Sequence, residues 1–458
     1  MNTANDKKNA KKHLWPDAVI AVAAAVLLIW VLYTIFFPTF RIRKGVLVEY
    51  RGNDAQVVIP DSVTSIGNEA FRDCDTLIDV TIPDSVTSIG KYAFSGCTKL
   101  KVLVIPDTVT TIDKGAFDSC TSLTTAALPK NLTELAPFIF CDCTKLTNVT
   151  IPPTVTSVGE GAFSSCYSLT AINIPRSVTV INKSAFSSCK CLTDVHMAGD
   201  VTSIGAYAFS DCENLESVNI PASVTEIGDH AFYYADRIQT LTIPQAVETI
   251  GEFAFYGCRS LTDIDVASRN RNYTSRGGVL YNKDVSTVIC YPAAKPGKSC
   301  RLPATVTKID DGAFGYCVNL RMIALPTAVT SIGADAFANC RLLESVTMSD
   351  AVTKIGIGAF MNCTSLTEMS LSDSVEYIDE VTFYGCSSLE TITLPASVKS
   401  IILEAFSGCH SLKTVYYGGS ESDWQHLIDT MGDENDVLRD VSVAYHYTAG
   451  DLIESYQS

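Results

Sequence analysis

The sequence predicts a solenoid of the α/β class, mostly β, with about 14 coils of one repeated unit behind one N-terminal transmembrane helix. Three observations carry this. A phenylalanine recurs at every twenty-third position from Phe71 to Phe255 and again from Phe314 to Phe406, fourteen in all. Between Phe255 and Phe314 the interval is one period plus an insertion of thirty-six positions. A fixed period of this length marks stacked units, each burying its apolar face only against its neighbours. The unit itself reads I-P-x-x-V-T-x-I-G-x-x-A-F-x-x-C-x-x-L-x-x-V-x, so the same apolar residue returns at the same depth in every coil. Finally, the run from Ala18 to Phe37 has no charge, and only Thr34 in it is polar. An apolar helix needs about 20 residues to span a hydrocarbon core of ~30 Å, and this run supplies them.

Taken in order, residues 1–17 read as a short basic cytoplasmic tail with Lys7, Lys8, Lys11 and Lys12. Residues 18–37 read as a transmembrane signal anchor. A cleaved signal peptide has a shorter apolar run and a small-residue cleavage site, whereas Pro38-Thr39-Phe40-Arg41 follows here. Four lysines before the run against Arg41, Arg43 and Lys44 after it bias the N-terminus inward. Residues 38–44 read as a basic linker, and residues 45–417 as the solenoid.

Within the unit, alternation before the proline predicts a short strand. Pro83 and its counterparts end it because proline gives the ladder no N–H. Successive strands pair in parallel, and fourteen coils at ~4.8 Å make a rod of roughly 65 Å. V-T-x-I-G is a second, shorter extended piece. The position four before each Phe is Gly, Asp or Asn in all copies but Ala136 and Ile402. Those types tolerate positive φ, so a left-handed turn is expected there. The following x-x-A-F-x-x-C is too short for a free helix and reads as a helical or 3-10 turn on the convex side. The small residue before Phe lets the next coil pass close.

Residues 267–301 interrupt the array. Val279-Leu280-Tyr281 and Val285 to Tyr291 flank the turn-rich Asn282-Lys283-Asp284, a hairpin signal. Beyond the repeats, residues 418–458 form a cap and tail, with a short helix over 424–428 and a strand over 441–445 covering the last coil.

The repeat motif resembles the BspA-type leucine-rich repeat of bacterial and protozoan surface proteins, over about residues 45–417. Gly45-Val46-Leu47-Val48-Glu49-Tyr50 resembles that family's entry strand, and Val415-Tyr416-Tyr417-Gly418-Gly419-Ser420 with Asp423-Trp424 its exit cap. Gly278-Val279-Leu280-Tyr281-Asn282-Lys283-Asp284 resembles a hairpin found inside such arrays. The resemblance implies an α/β leucine-rich-repeat solenoid on the cell surface that binds proteins or glycans and adheres to host or neighbouring cells. The alternative is a non-catalytic scaffold or spacer of the envelope.

Charge narrows the partners. Residues 1–44 hold 7 Lys or Arg and 2 Asp or Glu, and the rest hold 27 against 48, a net of −21. So acidic a domain does not attract nucleic acid. No nucleophile–base pair, phosphate loop or ligand spacing recurs, so no enzyme, cofactor, metal or small-molecule substrate is expected. Thirteen of the 17 cysteines stand three residues after a repeat Phe, a buried ladder position. Of the others, Cys290 and Cys300 share the insertion and are the candidate disulfide pair.

Concave outward positions are small and polar, among them Thr81, Thr150, Asn173, Asn219, Thr242, Thr347, Ser370 and Thr393. The convex side offers larger groups. Tyr233 and Tyr256 share one repeat position in adjacent coils and stack ~5 Å apart. Tyr234 and Phe253 lie close by, and the insertion adds Tyr273, Tyr281 and Tyr291. These seven are the candidate partner-binding residues, either as an exposed patch or packed beneath the folded-back hairpin.

Overall fold

The computed structural model describes residues 39–447. They form a mostly-β parallel solenoid of about 16 turns of 23 residues. Concave strands pair one period apart, Gln56–Val58 with Asp79–Thr81 and Val102–Val104 with Thr125–Ala127. A second row of two-residue strands, Ser65–Ile66, Ser88–Ile89 and Thr111–Ile112, pairs the same way. Between the rows lie the apolar columns. The repeat Phe rings stack at 4.8 Å for Phe71–Phe94 and 5.9 Å for Phe232–Phe255, close to parallel. Offset stacking adds to the area each ring buries.

The expected fold class needs correction on three counts. The coils number about 16 because two carry tyrosine in the Phe column. Tyr50 stacks on Phe71 at 5.0 Å and Tyr291 on Phe314 at 4.9 Å. The insertion is therefore one degenerate coil plus extra strands.

Second, the convex side is neither helical nor 3-10, so the class is β rather than α/β. Positive φ recurs two residues before and two after each Phe, as at Tyr92 (+53°) and Gly96 (+75°). The N–H groups of Tyr92, Phe94 and Gly96 donate to the carbonyls of Lys114, Ala116 and Asp118 in the next coil. A helix would keep those donors within its own coil. Here pairing between coils wins, and the backbone alternates handedness to aim every second N–H at its neighbour. The turn expected four before Phe is not left-handed. Glycine stands there because coils touch: a Cβ on Gly159 would lie 2.4 Å from the Leu135 carbonyl oxygen, and one on Gly228 2.5 Å from the Ala206 nitrogen.

Third, among the described residues no helix is long and apolar enough to cross a membrane. The expected tail and anchor, residues 1–37, lie outside the described residues. The linker is in part a strand, Phe40–Arg43, antiparallel to Val46–Tyr50, and Phe40 covers Tyr50 at 5.3 Å.

The cysteine column is more than small apolar filling. From Cys97 onward each of its thiols donates to a carbonyl of the ring column in the preceding coil. Cys97 reaches Phe71 and Cys166 reaches Phe140, at 3.1–3.2 Å. All 17 cysteines are free, Cys290 and Cys300 included. At the C-terminus the helix Glu421–Thr430 begins with a Ser420/Asp423 capping box and buries Trp424, Leu427 and Ile428. Strand Ser442–Tyr445 then extends the concave sheet beside Thr414–Tyr417.

Candidate interaction surface

The convex turns bring side chains at equal repeat positions into columns. Two residues before Phe, Tyr207, His230 and Phe253 follow one another, each left-handed. Tyr207 stacks on His230 at 4.6 Å, and His230 meets Phe253 at 5.2 Å. One residue after Phe, Tyr233 stacks on Tyr256 at 5.5 Å. Two after Phe, Tyr234 reaches Tyr316, ring to ring at 5.6 Å and hydroxyl to hydroxyl at 2.8 Å.

That last contact spans a coil. It is open because Gly257 holds the intervening position, where a Cβ would lie 2.3 Å from Tyr234 Cδ1. Arg259 lies over the rings of Tyr234 and Tyr316, at 5.5 and 5.0 Å, and faces Asp236 at 3.4 Å. Burial holds the His230 imidazole below its ordinary pKa, against the opposing charges of Asp229 and Glu252.

Of the seven candidate tyrosines and phenylalanines, Tyr233, Tyr234, Phe253 and Tyr256 gather here. Tyr256 is 7% exposed and serves as the floor, while the other three are half-buried. The three from the insertion do not join them. Tyr291 is in the ladder, and Tyr281 is 2% exposed, its hydroxyl pushed up to about 12 by burial. Tyr273 accepts the Ile250 N–H at 2.9 Å at the edge of the core. Sequence reasoning missed Tyr316, Arg259 and His230. Position two after Phe carries tyrosine in only two coils, Tyr234 and Tyr316, with Gly257 between, and that pattern was the available signal. It also passed over the concave Val58, Val102 and Val104, which are 70%, 46% and 61% exposed.

Asp335 lies beside this surface, left-handed at φ +51°. Burial first, and then the charge of Asp311, pushes its carboxyl up to about 6. A raised folded pKa means that the folded state binds the proton more tightly. The stability it contributes is present below about pH 4 and is lost as pH rises through about 6. Asp335→Asn keeps a residue that accepts positive φ and removes the charge. It should stabilise by about 1–2 kcal/mol at pH 8, after allowing for partial exposure, and by nothing at pH 4. Thermal unfolding at the two pH values checks this, and equal gains at both would assign the effect to the backbone instead.

Ligand-type side chains converge at one other place among the described residues, where Asp118, Cys141 and Asp142 come within 4.8 Å of one another. Burial and then the two carboxylates push the Cys141 thiol up to about 12, and it donates to Asp142 Oδ2 at 3.7 Å. Cys143 points inward, bonded to the Phe117 carbonyl, and does not join this group.

No curated protein matches the chain. The family model for a BspA type leucine rich repeat region of six copies matches residues 50–170, 156–276 and 290–413. A leucine rich cell surface protein from Faecalibacterium prausnitzii A2-165 is 30% identical, with 83% of this chain and 92% of that one covered and a TM-score of 0.60. A leucine-rich repeat protein from Eubacterium ventriosum ATCC 27560 is also 30% identical, over 60% of this chain and 73% of that one, with a TM-score of 0.57. With its ladder, its paired strand rows and these matches over most of its length, the chain belongs to the BspA-type leucine-rich repeat family.

Proposed function

We propose that the chain is an extracellular surface protein that binds a large protein or glycan partner, with adhesion as its role and no catalysis. The observation that carries this is the convex aromatic surface of Tyr233, Tyr234 and Tyr316 under Arg259, which occurs once in an otherwise repetitive rod. Tyrosine and arginine present large surfaces with little rotamer freedom to lose, and interface energy concentrates in them. The cell-surface description of the Faecalibacterium relative supports the location. A second reading places the contact on the concave face, where Val102 and Val104 are exposed beside Thr125 and Ala127.

The test is binding of the full chain to a panel of mucins, matrix proteins and bacterial surfaces, followed by two double variants. Tyr233→Ala with Arg259→Ala should weaken the strongest interaction about tenfold or more, and Val102→Ser with Val104→Ser less than about threefold. The reverse order moves the site to the concave sheet. No binding across the panel leaves the scaffold reading as the better one.

A further inference from the structure

The Tyr291 coil is two residues shorter than its neighbours on the convex side. Val288 and Ile309 are register partners, yet Val288 stands three residues before Tyr291 and Ile309 five before Phe314. The missing residues are those of a convex turn. Their loss leaves a cleft of about 310 Å³ between the Phe255 and Phe314 coils, walled by Phe253 and Tyr273 and edged by Glu252, Lys308, Asp310 and Asp311. That volume is at the small end for ligand sites, which run about 300–1,000 Å³, and suits one extended side chain or a short diamine.

We propose that this cleft binds an organic cation, an alkylammonium or guanidinium group. Its edge carries three carboxylates against one ammonium. Lys308 Nζ is held by Asp310 at 2.7 Å, so the cleft already accommodates one ammonium of the chain's own. Glu252 and Asp311 form no ion pair among the described residues and act on Lys308 only at longer range, while Asp311 Oδ1 accepts the Ala334 N–H. An anion would be repelled. A neutral ligand would desolvate the two carboxylates and leave both charges unanswered. A cation answers both charges, and the aromatic walls favour it further, as Tyr234 and Tyr316 already favour Arg259 nearby. The cleft shares Phe253 with the tyrosine surface, but small cations probe it without any protein partner.

The experiment is calorimetric titration of the full chain at low salt with putrescine, N-acetyl-lysine methylamide and N-acetyl-arginine methylamide. Saturable binding is expected, weakened about tenfold by Glu252→Gln with Asp311→Asn and weakened in the same sense by Glu252→Gln alone, an exposed position. Lys308→Gln should act in the opposite direction and tighten binding, because it frees Asp310. Tighter binding of putrescine identifies a free diamine as the source, and tighter binding of either capped amino acid identifies a partner's side chain. No saturation by any probe at tens of millimolar overturns the proposal. So does an affinity indifferent to Glu252→Gln, or one that Lys308→Gln leaves unchanged or lowers.

Discussion

Phe163→Ala should cost ~3–5 kcal/mol of unfolding free energy, while Cys166→Ala, three residues away, costs about 1 kcal/mol. Phe163 is fully buried between Phe140 at 5.7 Å and Phe186 at 5.3 Å, so truncation opens a hole between two rings that cannot close on each other. The backbone ladders on either side fix the coil spacing and forbid collapse. Cys166 loses only a sulfur and one weak bond to the Phe140 carbonyl, which keeps the Cys143 N–H at 3.2 Å. Ala235 already stands in that column beneath Phe209. Because coils are stabilised by their neighbours, the loss at Phe163 should also separate the unfolding of the coils before it from those after it. Urea unfolding of the two variants decides the matter. Equal losses would mean that the column does not carry the stability assigned to it.

The second large effect is expected at the C-terminal end. Every convex turn sends N–H groups toward the next coil, and the last turn has no next coil. Asn435, fully buried in the cap, takes its place: Oδ1 accepts the Phe406 N–H and Nδ2 donates to the Ile402 carbonyl, both at 2.9 Å. Asn435→Leu keeps the branch at Cγ and removes both hydrogen-bonding groups. The buried Phe406 N–H is then orphaned, while the Ile402 carbonyl keeps the Ala405 N–H at 3.2 Å, so the cost should approach ~1–3 kcal/mol. The effect should be local. Hydrogen exchange should accelerate at residues 402–409 and in the cap and stay unchanged around Phe163. Uniform acceleration along the rod would instead make the cap a determinant of global folding.

How much of this could be read beforehand depended on whether a residue type recurs. The Phe and Cys columns and the two strand rows were legible because one residue type repeats at a fixed spacing, and the helix after Ser420 was placed at 424–428 as part of the cap. The left-handed positions were not. They hold Glu69, Tyr92, Phe138, Ser184, His230 and Val381, which share nothing but the inter-coil bonds that impose the conformation. Glycine four before Phe misled, because it answers to a close approach of backbones rather than to φ. The two extra coils were hidden by a Phe-to-Tyr change together with a two-residue shortening. On the candidate surface, Tyr233 and Tyr256 were legible as equal positions in adjacent coils. Tyr316 was not, being 82 residues from the tyrosine it bonds.

Tyr50 and Tyr291 share more than their place in the column. Tyr50 ends an antiparallel strand pair and Tyr291 follows one, each coil is short by the same two residues, and each opens a run of phenylalanines. The buried apolar residues divide accordingly into two clusters, and among the described residues no ring contact joins Phe255 to Tyr291. The rod is thus two arrays laid end to end, the second with a beginning of its own. A joint of this kind lets either array gain or lose whole coils without disturbing the register of the other. The contacts of Tyr234, Tyr256 and Arg259 with Tyr316 are among those that tie the two arrays together across it.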